Sequence, residues 1–306
     1  MNLHDIVKRK DPCLRVLSGH VVPAYSSGAW VGARLQPGTR LAIHGKGVTC
    51  RQDGRGLGWR VIEGAAHIVP GMYTLVDSAA GAVIRCAAWF QSAPRLLPFC
   101  LGDGIEVGPG LNPRVRPSEG VRVRYMEDLD KAGWMARYHL EPTPENEAKW
   151  GDYLVGDAHT LEGVRDGSLD FIFSSQVFEH LMNPLQVLAN WSAKLKPGGS
   201  VLSGIPDCRY CFDLRKAPST LAEMEAEREA GGFSVPRPKY EKWSEGGSAD
   251  LVESLIRRSY SIHVHYYTPQ SYIALGELAA CEGLFSEVQV WSSPNSREFG
   301  ARLVKG

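Results

Sequence analysis

The sequence has no long apolar run and no excess of charge of either sign. No stretch approaches the roughly 20 apolar residues of a membrane-spanning helix, which predicts that the chain has no membrane span. Its 34 lysines and arginines balance its 34 aspartates and glutamates, so we expect no nucleic-acid or anionic-membrane partner. The opening residues MNLHDIVKRKD carry charges where a signal peptide has an apolar core, and we therefore expect a cytoplasmic protein.

Cysteines do not form the pattern of a disulfide framework. Their number, seven, is odd, and they are scattered along the chain, which predicts reduced thiols. Cys208 and Cys211 form one CxxC pair, but the sequence has no second pair at zinc-ribbon spacing. We interpret these two cysteines as structural.

Length and turn formers divide the chain into two parts. With 306 residues, 43% of them hydrophobic, the chain can form one large domain or two ordinary ones. Residues 1–97 contain short apolar runs, such as 29–35, 40–43, 59–62 and 82–90, between glycine- and proline-containing turns. This pattern predicts a small β-rich N-terminal domain. Its role stays open between binding a ligand or glycan, contacting a partner subunit and covering the second domain.

From residue 98 onward the pattern changes to alternating strands and helices. Helix starts are indicated at Asn183-Pro184 and Thr268-Pro269, where a capping residue precedes a proline; the first of these helices is expected to run to Leu195. Strands are predicted over residues 105–107, 121–126, 153–155, 168–175 and 200–205, with a terminal hairpin over 287–304 that turns at Pro294-Asn295. The order predicts a mostly parallel sheet with an antiparallel edge.

A glycine turn, Gly108-Pro109-Gly110, follows the first of these strands. Such turns at the carboxyl edge of a parallel strand are where open α/β sheets bind nucleotide-like cofactors. Glu127 follows the second strand at the spacing of an acid that binds a ribose diol. Asp157 and the Ala158 amide follow the third strand, where adenine would lie, and Ser175-Gln176 end the fourth strand beside the reactive end of such a ligand.

These motifs together resemble the class I S-adenosylmethionine (SAM)-dependent methyltransferases. The matching segments are EVGPGLNP (106–113), VRYMED (123–128), GDAHTL (156–161), SLDFIFSSQVFEHLMNP (168–184) and LKPGGSVLSGIPD (195–207). The resemblance implies a Rossmann-like seven-stranded sheet with an antiparallel last strand over residues 98–306, and SAM as the cofactor. The segments SSQVFEHLMNP, PDCRYCFDLR and HVHYYTPQSY also resemble a bacterial subgroup that is often encoded among polysaccharide-biosynthesis enzymes.

The resemblance also implies roles for individual residues. Glu106, Gly108 and Gly110 would contact the methionine portion of SAM. Glu127 would bind the ribose, and Asp157 and Ala158 would contact the adenine. Glu127 stands where the family usually has aspartate, so Asp128 is an alternative for the ribose. Ser175 is expected near the cofactor. Gln176 stands where the subgroup often has histidine, which weakens the case for a general base there.

Transfer of a methyl group to a hydroxyl depends on alignment and benefits from a base. We select His263 and His265 as candidate bases, and Asp207, Arg209 and Gln176 as other catalytic candidates. The two histidines could instead bond loop backbone, or bind a divalent metal with Asp207 and Asp213; we predict no metal. For His180 we favour an orienting role at the helix start.

A long insertion, residues 213–262, separates the fifth strand from the two histidines. Thr220 and Glu223 have capping-box spacing and predict a charged helix that ends at Gly231. Residues 232–248 are expected to form a loop or lid over the site that shapes the acceptor pocket. Four side chains there either bind a sugar or phosphate or lie on a solvated surface: Arg237, Tyr240, Lys242 and Trp243.

The sequence predicts SAM-dependent O-methylation of a sugar or sugar-linked small molecule in bacterial glycan biosynthesis. Methylation of another small metabolite is one alternative, and a non-catalytic glycan-binding protein with a vestigial fold is another. A nicotinamide-dependent oxidoreductase is disfavoured because the chain lacks GxGxxG at the start of a full-length helix. Whether the chain forms a homo-oligomer, and which acceptor atom is methylated, are left open.

Overall fold

The structure is a computed structural model. It describes residues 96–306, apart from 210, 212, 214–215 and 292–297, and the backbone of short strands within residues 13–89. The chain divides into two compact units. One comprises Met1–Ser92, Asp207–Lys216 and Ser292–Phe299, and the other comprises Ala93–Pro206, Ala217–Trp291 and Gly300–Gly306.

The first unit contains short strands in two sheets. The strands are β1 (Cys13–Val16), β2 (Trp30–Arg34), β3 (Arg40–His44), β4 (Val48–Asp53), β5 (Val61–Ile62), β6 (Gly64–His67), β7 (Gly71–Asp77) and β8 (Ala82–Trp89). A three-stranded antiparallel sheet has the order β1-β3-β6, and a five-stranded sheet has the order β2-β8-β7-β4-β5. Each of the apolar runs named from the sequence overlaps one of these strands.

The second unit is built on a seven-stranded sheet in the order β11-β10-β9-β12-β13-β15-β14. Its strands are β9 (Gly102–Val107), β10 (Val121–Glu127), β11 (Asp152–Val155), β12 (Leu169–Ser175), β13 (Leu195–Pro206), β14 (Glu287–Trp291) and β15 (Glu298–Val304). Strands β9 to β13 pair in parallel, whereas β14 and β15 are antiparallel. The predicted Rossmann-like sheet with an antiparallel end is confirmed. The turn predicted at Pro294-Asn295 lies outside the described residues.

The centre of this sheet is apolar on both faces, as expected of parallel strands covered by helices. Ile105 on β9 and Phe171 to Phe173 on β12 are fully buried. Gly104 permits this packing, because a Cβ there would lie 2.2 Å from the Phe171 ring. The Phe171 ring of β12 therefore packs directly against the backbone of β9 at Gly104.

Helices flank the sheet and begin at residues that cap them. They are α1 (Lys131–Arg137), α2 (Pro144–Glu147), α3 (Pro184–Lys194), α4 (Leu221–Ala230), α5 (Arg237–Trp243), α6 (Ala249–Arg257) and α7 (Pro269–Cys281). Asn183 caps α3, and Thr220 and Thr268 form capping boxes at α4 and α7. These predicted starts are confirmed. Among the described residues, no helix is both long and apolar enough to cross a membrane.

Two boundaries differ from the prediction. Helix α3 stops at Lys194, because Leu195 is already extended and pairs with Leu169 on β12; after an irregularity, regular pairing resumes at Ser200. The segment predicted as a loop over residues 232–248 contains α5, because Tyr240 is buried in an apolar cluster with residues that include Val252 and Leu255 of α6. Packing thus makes a helix out of a glycine-, proline- and charge-rich stretch.

Candidate functional site

A cavity of about 710 Å³ lies at the carboxyl ends of β9 to β12. Its volume is in the range of small-molecule sites. Seven of the residues selected from the sequence line it: Gly108, Gly110, Glu127, Asp128, Asp157, Ala158 and Gln176. Four other selected residues of this unit, all within the described part of the chain, lie outside the lining: Glu106, Ser175, His263 and His265.

The glycine turn after β9 forms one wall of the cavity. Gly108 and Gly110 have φ values of +62° and +55°, a conformation that favours glycine. A Cβ on Gly108 would lie 2.5 Å from Val177 Cγ2. The turn is held by two hydrogen bonds: the Gly108 amide donates to the Met126 carbonyl (2.9 Å), and Trp150 Nε1 donates to the Gly110 carbonyl (2.7 Å).

The acid at the end of β10 faces the glycine turn. Glu127 is 6% exposed, and its Oε1 accepts a hydrogen bond of 2.7 Å from the Gly110 amide. Burial raises the pKa of Glu127 to about 8, although the hydrogen bond from Gly110 opposes the rise. The neighbouring Asp128 is largely exposed and lies 3.4 Å from Arg137. Of the two acids, Glu127 is therefore the one fixed against the turn.

Glu106 lies outside the cavity lining, at the base of the glycine turn. Its buried carboxylate accepts hydrogen bonds from the Arg114 amide (2.8 Å) and the Val115 amide (2.9 Å). Burial raises its pKa to about 7, and the two backbone hydrogen bonds oppose this rise. Glu106 thus fixes the loop that follows the glycine turn.

The loop after β11 is held by a chain of hydrogen bonds. Asp157 Oδ1 lies 2.8 Å from the donating His159 amide and 2.7 Å from His159 Nδ1, while the Met182 amide donates to His159 Nε2 (3.2 Å). Nε2 is therefore an acceptor and Nδ1 carries the proton. Trp191 Nε1 donates to the Ala158 carbonyl at 2.7 Å. Asp157 and Ala158 are positioned by α3 and its preceding turn.

Beyond the end of β12, Gln176 and His180 line the other end of the cavity. Gln176 has a φ of +60°, which is unusual for a residue other than glycine and often marks a functional site. His180 lies in the 3₁₀ turn Phe178–His180, and its side chain is 26% exposed. Ser175 ends β12 and pairs with Gly204 of β13.

Three side chains next to this end form what we call the imidazole cluster: Glu179, His180 and His263. Glu179 Oε1 lies 3.8 Å from His180 Nε2 and 3.9 Å from His263 Nε2. The two rings are 4.7 Å apart and nearly perpendicular. The sequence analysis selected His263 as a candidate base but gave His180 an orienting role. The signal for His180 was its place in the short turn that follows β12, at the cofactor edge of the sheet.

His265 lies away from the cavity, in a buried ionic cluster. Its Nε2 is 3.0 Å from Glu227 Oε2, and Lys239 Nζ is 2.6 Å from Glu227 Oε1. Burial lowers the pKa of His265, while Glu227 opposes this change. For Glu227, burial favours a higher pKa, but His265 and Lys239 outweigh it and lower the pKa to about 2. The structure thus separates His265 from His263, which the sequence had paired.

Asp207 and Arg209 belong to the first unit and form an ion pair with each other. Arg209 Nη2 donates to Asp207 Oδ2 at 2.6 Å, and Arg209 Nε donates to Asp207 Oδ1 at 2.9 Å. Cys208 is buried, which raises the pKa of its thiol to about 12. Asp213 Oδ2 lies 3.3 Å from the sulfur of Cys211.

The insertion contacts the cavity rim. Phe233 stacks on the His159 ring at 4.6 Å, and Ser261 lines the cavity. The side chains proposed for sugar or phosphate are engaged within the unit: Tyr240 is buried, Arg237 pairs with Glu241 and Glu253, Lys242 lies 3.6 Å from Glu223, and Trp243 packs on Tyr260.

A family model described as a methyltransferase domain matches residues 117–203. The match begins just before β10 and ends within β13, so it contains Glu127, Asp157 and His180. Residues 117–203 thus match a methyltransferase domain. The described cavity lies at the sheet edge that carries the matched motifs.

One curated relative is an uncharacterized 37.1 kDa protein in transposon TN4556 of Streptomyces fradiae. It is 34% identical to this chain over 106 residues, which cover 35% of this chain and 28% of the relative. The match therefore spans less than a third of that relative's length.

Three solved methyltransferase structures are also similar to the chain. A SAM-dependent methyltransferase of Thermotoga maritima, a possible histamine N-methyltransferase, is 18% identical, with a TM-score of 0.41 and coverage of 70% of this chain and 88% of that one. One from Aquifex aeolicus is 15% identical (TM-score 0.40; 71% and 90%). Human N-acetylserotonin methyltransferase, solved with SAM, is 14% identical (0.40; 70% and 52%). At these identities and TM-scores, the three structures assign no substrate to this chain and no role to any of its residues.

Proposed function

We propose that the protein methylates a hydroxyl of a sugar or sugar-linked small molecule in bacterial glycan biosynthesis, with SAM as the methyl donor. The observation that carries the proposal is the imidazole cluster at one end of a cavity whose other walls carry the cofactor motifs. The sugar class is supported by the subgroup resemblance of residues 174–184 and 263–272.

The cavity residues suit SAM. Glu127 presents a buried carboxylate that can accept hydrogen bonds from the ribose diol, as expected at the end of the second strand. Asp157 already uses Oδ1 for His159, so we assign Oδ2 to the adenine amino group. Gly108 and Gly110 line the cavity without side chains, so a ligand can approach their backbone closely. The adenine end thus lies towards β11 and the reactive end towards Gln176.

When bound, SAM supplies a methyl group on a positively charged sulfur, which is already activated for transfer. The protein's part is to align the acceptor oxygen with that methyl group and to promote loss of the hydroxyl proton. His180 lies on the cavity wall and is partly exposed, so it meets the acceptor. Glu179, buried behind it, stabilises positive charge that develops at the imidazole cluster.

The test is transfer of an isotopically labelled methyl group from SAM to a panel of nucleotide sugars, free sugars and unrelated hydroxylated metabolites. We expect labelled methyl ether in a sugar product, and loss of most activity in Glu127→Ala. The matched control is Asp166→Ala, because Asp166 is exposed and pairs with Lys194 away from the cavity lining. Transfer only to non-sugar metabolites would overturn the sugar assignment. Sugar binding without SAM binding would indicate a vestigial domain.

A further inference from the structure

We propose that the imidazole cluster binds one divalent metal ion of the Zn²⁺ type, which activates the acceptor hydroxyl. The ligands would be Glu179 Oε1, His180 Nε2 and His263 Nε2. The inference rests on the proposed function and specifies how the cluster promotes loss of the hydroxyl proton.

The first argument is the position of the donor atoms. One donor atom from each of the three side chains lies within 4.8 Å of the others. Ligand atoms bound at about 2.0–2.1 Å to a tetrahedral Zn²⁺ are about 3.3 Å apart. The two separations that involve Glu179, 3.8 Å and 3.9 Å, exceed this value by about half an ångström, and the separation between the two histidines is at most 4.8 Å. Side-chain rotations would close these gaps. Two histidines and one glutamate are a known ligand set for catalytic zinc.

The second argument is the state of the His180 ring. Its Nδ1 lies 2.9 Å from the Ile262 carbonyl oxygen, which can only accept a hydrogen bond. Nδ1, which also lies 3.0 Å from Ser261 Oγ, therefore carries the proton in the neutral ring, and Nε2 is the nitrogen that would bind the metal. Metal-binding histidines usually donate their other ring N–H to a carbonyl or carboxylate in this way, which fixes the tautomer and the orientation of the ring.

The third argument is that the backbone brings the three ligands together. The Glu179 carbonyl oxygen accepts hydrogen bonds from the Val264 amide (2.9 Å) and the His265 amide (3.1 Å). The segment that carries His263 is therefore fixed to the 3₁₀ turn that carries Glu179 and His180. Glu179 is 1% exposed, and buried carboxylates in proteins are typically paired or bind metals.

The proposed metal site is open towards the cavity, as a catalytic metal site must be. His180 lines the cavity, so the remaining coordination positions of the ion would face the acceptor. One hydroxyl of a sugar can occupy the fourth position, and a neighbouring hydroxyl can add as a fifth ligand when the ion expands its coordination, which specifies a vicinal diol as the substrate class. This donor set shares only His263 with the alternative given by the sequence: Glu179 and His180 stand in place of His265, Asp207 and Asp213.

The chemistry follows from Lewis acidity without a redox change. A metal ion lowers the pKa of a bound O–H group by several units, so the bound hydroxyl releases its proton to solvent. The resulting oxygen anion forms the bond to the methyl carbon as the methyl–sulfur bond breaks, with its electron pair remaining on sulfur. The products are the methyl ether, S-adenosylhomocysteine (SAH) and one proton.

The experiment titrates the metal-stripped full chain with Co²⁺, whose visible absorption reports its ligands, and then displaces it with Zn²⁺. We expect one bound ion per chain, and at least tenfold weaker binding in His263→Ala and in Glu179→Gln. The matched control is His139→Asn, because His139 is exposed and asparagine tolerates its φ of +53°. Equal binding by the wild type and both variants, or none by the wild type, would overturn the site.

Calorimetric titration with SAH on the same samples separates the two proposals. His263 lies outside the cavity lining, so His263→Ala should bind SAH within twofold of the wild type, which also shows that the variant is folded. SAH binding without metal binding would overturn the metal site alone. Metal binding without SAH binding would overturn the proposed function. Loss of the metal in Cys208→Ser, with retention in His263→Ala, would place the ion at the CxxC pair and overturn the site.

Discussion

At the scale of single residues, Glu127 makes cofactor binding depend on pH. Burial raises its pKa to about 8 in the free protein, whereas a ribose diol needs the ionised carboxylate as acceptor. Binding should therefore release a proton, and affinity should rise with pH until about pH 8. The ionised fraction of a group with this pKa rises about 25-fold between pH 6.5 and pH 8.5, so we expect SAH binding to be tighter by about that factor at pH 8.5 by calorimetry. The same affinities at both pH values for the wild type, or an equal rise in Glu127→Gln, would contradict this role.

Gly108 gives a second prediction for a single residue. Gly108→Ala places a Cβ 2.5 Å from Val177 Cγ2 at a positive φ, so the turn must shift into the cavity wall. We expect a loss of about 1–3 kcal/mol in stability and at least tenfold weaker SAH binding.

The matched control for that variant is Gly151→Ala. At Gly151 no atom lies within 4 Å of the added Cβ, and we expect wild-type behaviour. Unchanged SAH affinity in Gly108→Ala would show that the turn does not approach the cofactor.

Single residues also show where sequence reasoning stops. The glycine turn and Glu127 could be predicted, because strand ends and spacing along the chain determine their positions. The place of His180 depends on Ile262, 82 residues away. Likewise, the separation of His265 from His263 depends on which buried partner each ring meets in the folded chain.

At the scale of elements, Glu227 joins helix α4 to the rest of the unit. It accepts a hydrogen bond from the Asn183 amide (3.0 Å), which precedes α3, and contacts His265 and Lys239. The folded pKa of His265 is lower than that of an unfolded histidine. Stability from this group is therefore present above about pH 6.5 and is lost as the pH falls below it.

Denaturant unfolding from pH 8 to pH 5 tests this link. We expect the unfolding free energy of the wild type to fall below pH 6.5 by up to about 1.4 kcal/mol per pH unit. His265→Gln keeps a hydrogen-bonding side chain that does not titrate in this range, so its curve should be flatter. Parallel curves for the two proteins would show that His265 does not cause the pH dependence.

Helix starts could be predicted from the sequence, and two other boundaries could not. Thr220, Asn183 and Thr268 satisfy the amides of the following turn with their own side chains, which is a local effect. The start of β13 at Leu195 depends on its pairing with β12, and α5 depends on the burial of Tyr240. These contacts are made between segments that are distant in sequence.

At the scale of the whole molecule, the sheet order explains the position of the cavity. The order reverses between β9 and β12, and ligands of open α/β sheets bind at such a reversal, outside the carboxyl ends of the strands. The motifs follow successive strand ends along the chain, so their meeting at one edge could be predicted once the strands were recognised. The role of the first unit could not be predicted, because its sequence has no comparable cluster of motifs.

Cofactor binding is tested by calorimetric titration of the full chain with SAH, with NAD as the comparison ligand. We expect one SAH bound per chain, at least tenfold weaker binding in Glu127→Ala, unchanged binding in Asp166→Ala, and no heat of binding with NAD. Binding of NAD in place of SAH, or of neither ligand, would contradict this expectation.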